Sequence, residues 1–352
     1  MNKTYSLNEL GWNEALYAEY NDLISSYTIG RVAIEYKGMY KVFTENGEYL
    51  ASVSGKIMHS AEGRSDYPAV GDWVVLDNIH ANDDRVVIKE ILKRKSKFSR
   101  KSAGSTFEEQ IVAVNIDTLF ICMSLNQNYN LRRLERYITM AWDSGAIPVV
   151  LLTKADLCHD ADEKYSEVQA TAPGVDILCI SSFTGEGLEG LINYIKPGIT
   201  VAFLGSSGVG KSTLINTIAG EELLETQEVS SLGDRGRHTT TNRELIPLSN
   251  GSIVIDTPGM RELQLLDAGE NVDTAFQDIE TLASNCKFSD CSHGSEPGCA
   301  VQSAIESGAL DKNRFSSYIK LKREAEFAKR KLDRRAQQNY KNYVKRLSKQ
   351  HR

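Results

Sequence analysis

The sequence predicts a multidomain α/β protein, with a small β-barrel first, a parallel sheet covered by helices next, and a helical, cysteine-bearing region last. Five short β-like runs between residues 30 and 92 indicate the barrel. Apolar runs alternate with helical stretches from 101 to 266, which is typical of parallel strands joined by helices. At 352 residues the chain is long enough for two or three domains of roughly 150 residues each.

These changes of pattern divide the chain into four segments. Residues 1–29 form an N-terminal extension of weakly helical, polar sequence, to which we assign no chemistry. The barrel occupies 30–100, the α/β domain 101–266, and the C-terminal domain 267–352. The basic run KRKSKFSRK, from Lys93 to Lys101, separates the barrel from the α/β domain.

The predicted barrel strands are RVAIEY, MYKVF, EYLASVSG, DWVVLD and RVVIKEIL, with turn signals such as Asn46-Gly47 between them. The OB-fold is the five-stranded barrel most often used to bind oligonucleotides. Strand count alone also allows an SH3-like barrel. We favour the OB-like interpretation.

Composition limits the class of protein. Hydrophobic residues make up 41% and charged residues 25% of the chain, close to the average for globular proteins, which argues against a disordered chain. No apolar run approaches ~18 residues, so we expect no membrane-spanning helix and no membrane partner. The polar N-terminus lacks the apolar core and cleavage site of a secretory signal, so we expect a cytoplasmic protein.

Charge is distributed unevenly along the chain. From Lys320 to Arg352 there are thirteen Lys or Arg and three acids, a balance of +10. Because the net charge is −6, the rest of the chain carries −6 − 10 = −16. This helix-compatible tail is either a solvated face or an RNA-contacting helix, and the clustering of basic residues favours RNA.

A phosphate-binding loop follows the buried strand ITVAFLG. The run GSSGVGKST has the GxxxxGK[ST] pattern, with the strand before it and the helix after it that the motif requires. Its backbone N–H groups and the helix N-terminus can surround a β-phosphate, while Lys211 reaches the β- and γ-phosphates and Ser212 binds Mg²⁺. The predicted nucleotide-binding residues are Gly205, Ser206, Ser207, Gly208, Val209, Gly210, Lys211, Ser212 and Thr213.

Two further motifs, each at the end of a predicted strand, indicate that the base is guanine. Thr153, Lys154, Ala155 and Asp156 form a TKAD motif in which the Asp156 carboxylate can accept from the guanine N1–H and exocyclic amine. The Lys154 side chain would lie along the purine face. Ser181-Ser182, after the strand VDILCI, resembles the motif whose backbone N–H contacts guanine O6. Adenine has no matching donor pair, which argues against an ATP-using enzyme.

The run Asp256–Gly259 reads DTPG and resembles a switch II, where the aspartate holds Mg²⁺ through water and the Gly259 N–H contacts the γ-phosphate. Met260 stands where Ras-like proteins carry a water-orienting glutamine. In the preceding loop, Thr240 is the candidate Mg²⁺ ligand. His238 is the candidate catalytic group, because a neutral imidazole can orient or deprotonate water.

The order of these motifs is unusual. Guanine recognition precedes the phosphate loop and both switches, whereas in a conventional GTPase the phosphate loop and the two switches come first and the guanine motifs follow. The sequence therefore predicts a circularly permuted GTPase domain, an arrangement that packing tolerates when chain termini lie close together. As a result, the second switch leads almost directly into the C-terminal domain.

Four residues at the C-terminal end have the spacing C-x4-C-x-H-x5-C. They are Cys286, Cys291, His293 and Cys299. Three thiolates and one imidazole fill all four positions around a tetrahedral ion and leave none open for a substrate. Such a ligand set is typical of a structural Zn²⁺ site. The chain's other three cysteines lie in or beside apolar strands and are interpreted as core residues.

Together these motifs resemble the circularly permuted GTPases that assist small ribosomal subunit assembly, the RsgA or YjeQ/YloQ-like family. The resemblance implies an OB barrel, a permuted GTPase domain and a zinc domain. It also implies that GTP is hydrolysed to GDP with stimulation by the 30S subunit, and that 16S rRNA is a partner. The GRHTTT run at 236–241 carries the histidine that the family is proposed to use for catalysis, here His238. We expect a monomer. The alternative is a nucleotide-gated RNA-binding module whose hydrolysis is incidental.

Overall fold

The computed structural model describes residues 4–77, 85–101, 109–126, 128–224, 243–256, 272–294, 296–327 and 329–330. Its strands are β1 Thr28–Glu35, β2 Tyr40–Thr44, β3 Gly47–Val53, β4 Trp73–Leu76, β5 Arg85–Ile91, β6 Lys97–Lys101, β7 Glu109–Val114, β8 Thr118–Ser124, β9 Ile147–Thr153, β10 Asp176–Ile180, β11 Thr200–Leu204, β12 Glu244–Pro247 and β13 Ile253–Asp256. Its helices are α1 Glu14–Ser26, α2 Gly55–Ser60, α3 Leu131–Ser144, α4 Ala161–Thr171, α5 Lys211–Ala219, α6 Val272–Ala275, α7 Gln277–Ala283, α8 Ala300–Glu306 and α9 over 312–327.

The first five strands close into a barrel. Their order is β1-β2-β3-β5-β4, and β4 pairs back onto β1. Neighbours are antiparallel except β3 and β5, which run parallel with Leu50 opposite Arg85. A closed five-stranded barrel of this kind confirms the OB-like fold class. Its interior is a separate apolar cluster that includes Val42, Val74 and Ile88.

The α/β domain has the sheet order β10-β9-β8-β11-β13-β12, in which only β12 is antiparallel to its neighbour. The strand before the phosphate loop, β11, lies between β8 and β13, although it is the fourth of the six in the chain. A nucleotide-binding sheet whose central strand occurs so late in sequence is circularly permuted, as predicted. In the part of the chain that the structure describes, one residue pair, Ile34 with Glu244, joins this sheet to the barrel through β1 and β12.

The N-terminal segment, to which no role was assigned from sequence, packs into the protein core. Leu10 is completely buried and Trp12 is 2% exposed, with the Trp12 ring edge-on to Trp73 at 4.7 Å between centroids. The guanidinium of Arg31, also buried, donates to the carbonyls of Leu10, Gly71 and Asn115. Arg31 therefore links the N-terminal segment, the barrel and the start of the α/β domain.

Helix α3 lies between the α/β sheet and the C-terminal helices. The Asn130 side chain caps its N-terminus by accepting from the Arg133 N–H at 2.9 Å, and Gly145, with φ of 82°, ends it. One face of the helix buries Leu134 and Ile138. Across the described residues, the helices are all too short or too polar to cross a membrane.

Candidate nucleotide site and metal cluster

The predicted nucleotide-binding residues gather at one edge of the α/β sheet. The phosphate loop follows β11, the TKAD motif follows β9, the serine pair follows β10, and Asp256 ends β13. These four strands run parallel, so their carboxyl ends meet at the same edge. Ligands of open α/β sheets bind at this edge, where loops from neighbouring strands converge.

The backbone of the phosphate loop requires glycine at specific points. A Cβ on Gly205 would lie 2.5 Å from the carbonyl oxygen of Cys122, which is too close for any side chain. Gly208 and Gly210 have φ of 76° and 99°, in the left-handed region that glycine adopts without strain. Between them, the side chain of Val209 is fully buried and anchors the loop in the core beneath the sheet edge.

The Lys211 ammonium is folded back over this loop. It donates to the carbonyl oxygens of Gly205 and Ser206, both at 2.8 Å. The Ser206 hydroxyl oxygen is buried and has no hydrogen-bond partner among the described residues. Ser212 and Thr213 follow on the first turn of α5, whose N-terminus faces the loop.

One hydrogen bond ties the phosphate loop to the guanine motif. The Thr153 hydroxyl, buried at the end of β9, donates to the Val209 carbonyl at 2.6 Å. Sequence reasoning placed Thr153 among the GTP-binding residues, and the structure shows that its hydroxyl holds two loops together. The contact joins residues 56 apart in sequence, and no local pattern indicates it.

A second hydrogen bond joins the two guanine motifs. The Ser181 hydroxyl donates to Asp156 Oδ1 at 2.6 Å and accepts from the N–H groups of Phe183 and Thr184. Ser181 is fully buried, whereas Asp156 reaches the surface of the site. Lys154 takes a left-handed conformation, with φ of 60°, at the start of the turn Ala155–Leu157.

The remaining predicted residues divide into two groups. Ser182, Ser207 and Asp256 lie on the loops and strand end of the same sheet edge. Asp256 is partly buried and is brought near the phosphate loop because β13 pairs with β11. His238, Thr240 and Gly259 lie outside the described residues.

The four predicted metal ligands come together in the C-terminal region. The donor atoms of Cys286, Cys291, His293 and Cys299 all lie within 4.8 Å of one another. His293 Nδ1 is 3.5 Å from the sulfurs of Cys286 and Cys299, and those two sulfurs are 3.9 Å apart. His293 takes a left-handed conformation, with φ of 58°, which turns the short segment between Cys291 and α8 back on itself. This Cys₃His cluster could hold one metal ion.

The C-terminal region is attached to the nucleotide-binding domain through Arg314, which sequence reasoning did not identify. Its buried guanidinium donates to Glu135 of α3 at 3.1 Å and to the Thr171 carbonyl at the end of α4 at 2.9 Å. Within the C-terminal region it pairs with Asp278 of α7 at 2.7 Å. The basic side chain therefore bridges both sides of this interface.

Comparisons with known proteins agree with this architecture. The family model described as RsgA GTPase matches residues 91–266. A model described as ABC transporter matches 188–349, a range that includes the phosphate loop. A small ribosomal subunit biogenesis GTPase of Lactiplantibacillus plantarum is 49% identical over 299 residues, which covers 85% of this chain and 84% of that protein.

Two solved structures are similar in fold. YjeQ from Thermotoga maritima is 26% identical, with a TM-score of 0.63, and the match covers 85% of this chain and 98% of that one. YloQ, described as a circularly permuted GTPase, is 27% identical, with a TM-score of 0.58 over 86% of this chain and 96% of that one. With the phosphate loop and guanine motifs on one sheet edge of a permuted domain, the chain belongs to the RsgA GTPase family and is a GTP hydrolase.

Proposed function

We propose that GTP lies along this sheet edge with its base on the TKAD side and its phosphates in the loop after β11. The observation that carries this proposal is the pair of 2.6 Å hydrogen bonds, Thr153 to Val209 and Ser181 to Asp156. They hold the phosphate loop and both guanine motifs in one rigid arrangement. A ligand that bridges them must carry both a guanine and a phosphate chain.

Each motif then has a distinct task in binding. The Asp156 carboxylate accepts from guanine, and Lys154 covers one face of the base. The Ser181 N–H already donates to the Glu186 carbonyl at 3.0 Å, so Ser182 is the better candidate to contact guanine O6. The backbone of Gly205 to Gly210 and the N-terminus of α5 receive the phosphates.

The hydrolytic step depends on positioning and on charge. Lys211 leaves the carbonyls of Gly205 and Ser206 and stabilises the β- and γ-phosphates, where negative charge develops. Ser212 and Asp256, with Thr240, would hold Mg²⁺, which neutralises charge on the phosphate oxygens when bound. His238 would orient the attacking water, in the absence of a glutamine after Gly259.

The partner we propose is the small ribosomal subunit, with 16S rRNA as the contacted component. Three features support this: the function named for the relative from Lactiplantibacillus plantarum, an OB-like barrel, and a balance of +10 over 320–352. In this role the protein works as a monomer in the cytoplasm on maturing 30S subunits. Loss of the γ-phosphate would signal release, since the strand ending at Asp256 leads through 257–271 into the C-terminal helices.

The test is GTP turnover measured with and without purified small subunits. We expect strong stimulation of the intact chain and almost none of Lys211→Ala, which lacks the phosphate-binding ammonium. Lys196→Ala removes an exposed lysine elsewhere and serves as the matched control. Equal turnover with and without subunits would instead favour an RNA-binding module whose hydrolysis is incidental.

We further propose that the Cys₃His cluster holds one structural Zn²⁺. Zinc bonds to sulfur at ~2.3 Å and to nitrogen at ~2.0 Å, so tetrahedral ligands lie about 3.8 Å apart for two sulfurs and about 3.5 Å apart for sulfur and nitrogen. Among three of the ligands the separations are 3.9 Å between Cys286 and Cys299, and 3.5 Å from each to His293, and all four donor atoms lie within 4.8 Å of one another. The cluster therefore fits zinc, with no position left for a substrate.

Metal analysis of the purified chain should give about one equivalent of zinc. A chelator should reduce helical circular dichroism, and added Zn²⁺ should restore it, because metal binding of this kind is linked to folding. Cys291→Ser should lose the metal, whereas Cys158→Ser, which changes a cysteine outside the cluster, should retain it. A metal-free chain that keeps its full helical signal would contradict the proposal.

A further inference from the structure

A groove of about 620 Å³ runs between α3 and α9. We call it the basic seam. Among the described residues, its lining includes four cationic side chains and no acidic one. The lining residues are Arg132, Arg133, Arg136 and Tyr137 of α3, and Asn313, Ser316, Ser317, Lys320 and Leu321 of α9.

Two of its arginines are held in fixed positions. Arg136 makes a two-pronged contact with Glu324, at 2.8 and 3.1 Å. Arg132 pairs with Asp311 and Glu135, both at 2.6 Å. A guanidinium has five N–H donors, so a carboxylate on one side orients the group and leaves donors for an anion on the other. These ion pairs reduce the positive field of the seam but fix its donors in place.

The other two cations have no acidic partner among the described residues. The Arg133 guanidinium donates to the Asn128 carbonyl, and the Lys320 side chain is exposed. Arg132 and Arg133 lie in the first turn of α3, where a positive charge opposes the helix dipole. Arg132 offsets this cost through its ion pairs with Glu135 and Asp311. Arg133 has no ion pair among the described residues, and its position favours a role in binding a ligand.

A second groove adjoins the seam on the far side of Lys320. It shares Ser316 and Lys320 with the seam and is otherwise lined by Phe315, Ile319, Arg323, Glu324 and Phe327. The Phe327 side chain is 53% exposed. Cationic side chains beside an exposed aromatic ring are typical of surfaces that bind single-stranded nucleic acid, with phosphates on the cations and a base on the ring.

We propose that the basic seam binds a single-stranded RNA segment, with its phosphates on Arg133 and Lys320 and a base against Phe327. The inference rests on the proposed contact with 16S rRNA and names a surface for it. It extends RNA binding from the basic C-terminal end onto α3 of the nucleotide-binding domain. An RNA held there would contact both sides of the interface that Arg314 bridges.

Charge distribution favours RNA over an acidic protein as the ligand. The seam includes Lys320, the first residue of the 320–352 stretch, whose balance of +10 stands against −16 in the rest of the chain. The hydroxyl groups of Ser316 and Ser317 add neutral donors of the kind that contact phosphate oxygens.

The experiment compares the full chain with Arg133→Ala/Lys320→Ala for binding to a fluorescent single-stranded polyuridylate oligomer across a salt series. We expect the double variant to bind at least about 10-fold more weakly at low salt. The slope of log affinity against log salt should fall by about 1.4, because each lost phosphate contact on a single strand contributes about 0.7. Phe327→Leu should weaken binding roughly 10-fold without changing that slope.

The controls separate this inference from the proposed function. Lys320→Glu and Lys196→Glu make the same charge change, and only the first should weaken RNA binding. Basal GTP turnover should be unchanged in every variant. If the double variant binds RNA as strongly as the wild-type chain does, the basic seam is not the RNA-binding site, and the proposed function is unaffected. A double variant that binds RNA normally but loses small-subunit binding would identify a protein ligand instead. If the wild-type chain binds neither RNA nor subunits, the proposed function itself fails.

Discussion

Replacing Asp156 by asparagine is expected to transfer the nucleotide preference from guanine to xanthine. The carboxylate accepts from two guanine N–H groups, and xanthine carries an oxygen in place of the exocyclic amine. An amide can donate to that oxygen. Because each hydrogen bond to a charged group is worth about 1.5–3 kcal/mol, losing the pair should weaken GDP binding by at least about 100-fold.

The structure indicates that this variant should change base recognition without separating the two guanine loops. The Ser181 hydroxyl donates to Asp156 Oδ1, and an asparagine carbonyl can still accept that bond, so the two guanine loops should stay joined. Fluorescent GDP and XDP binding would be measured for Asp156→Asn and for Asp162→Asn, an exposed aspartate on α4 that serves as the control. Unchanged GDP affinity in Asp156→Asn would remove this residue from the base-binding site.

Replacing Arg31 by methionine is expected to destabilise the junction of the barrel and the α/β domain by at least about 2 kcal/mol. Methionine fills part of the space but leaves the carbonyls of Leu10 and Asn115 buried without a donor, at about 1–3 kcal/mol each. The Gly71 carbonyl keeps the Asn115 side-chain amide as a donor. Burial lowers the pKa of Arg31 to about 10, with Asp117 and Asp72 acting in the opposite direction, so the group stays charged at neutral pH.

Tryptophan fluorescence provides a local measurement of this effect. The Arg31 guanidinium lies 5.2 Å from the Trp73 ring centroid, and Trp73 contacts Trp12. We expect the unfolding transition seen by fluorescence to move to lower urea concentration. Arg85→Met, which removes an exposed arginine from the same barrel, should shift it little. Equal midpoints for the two variants would show that Arg31 does not stabilise the junction.

The sequence was most informative where function depends on a short continuous segment. A phosphate loop is a strand, a glycine-rich turn and a helix in immediate succession, so the run from Gly205 to Thr213 specifies it locally. The same holds for TKAD after β9 and for four metal ligands within fourteen residues. The order of these motifs was enough to predict a permuted domain, and the central position of β11 confirmed it.

The tertiary structure decided every contact that joins distant parts of the chain. Thr153 meets Val209, Arg31 meets Leu10 and Asn115, and the basic seam forms where α3 faces α9. A residue's type and its neighbours predict which element it forms, but its distant partners depend on how strands are ordered and helices are packed. For that reason the sequence alone determined a permuted GTPase with a metal cluster. Only the folded chain showed how its nucleotide loops are held together and where its N-terminal segment packs.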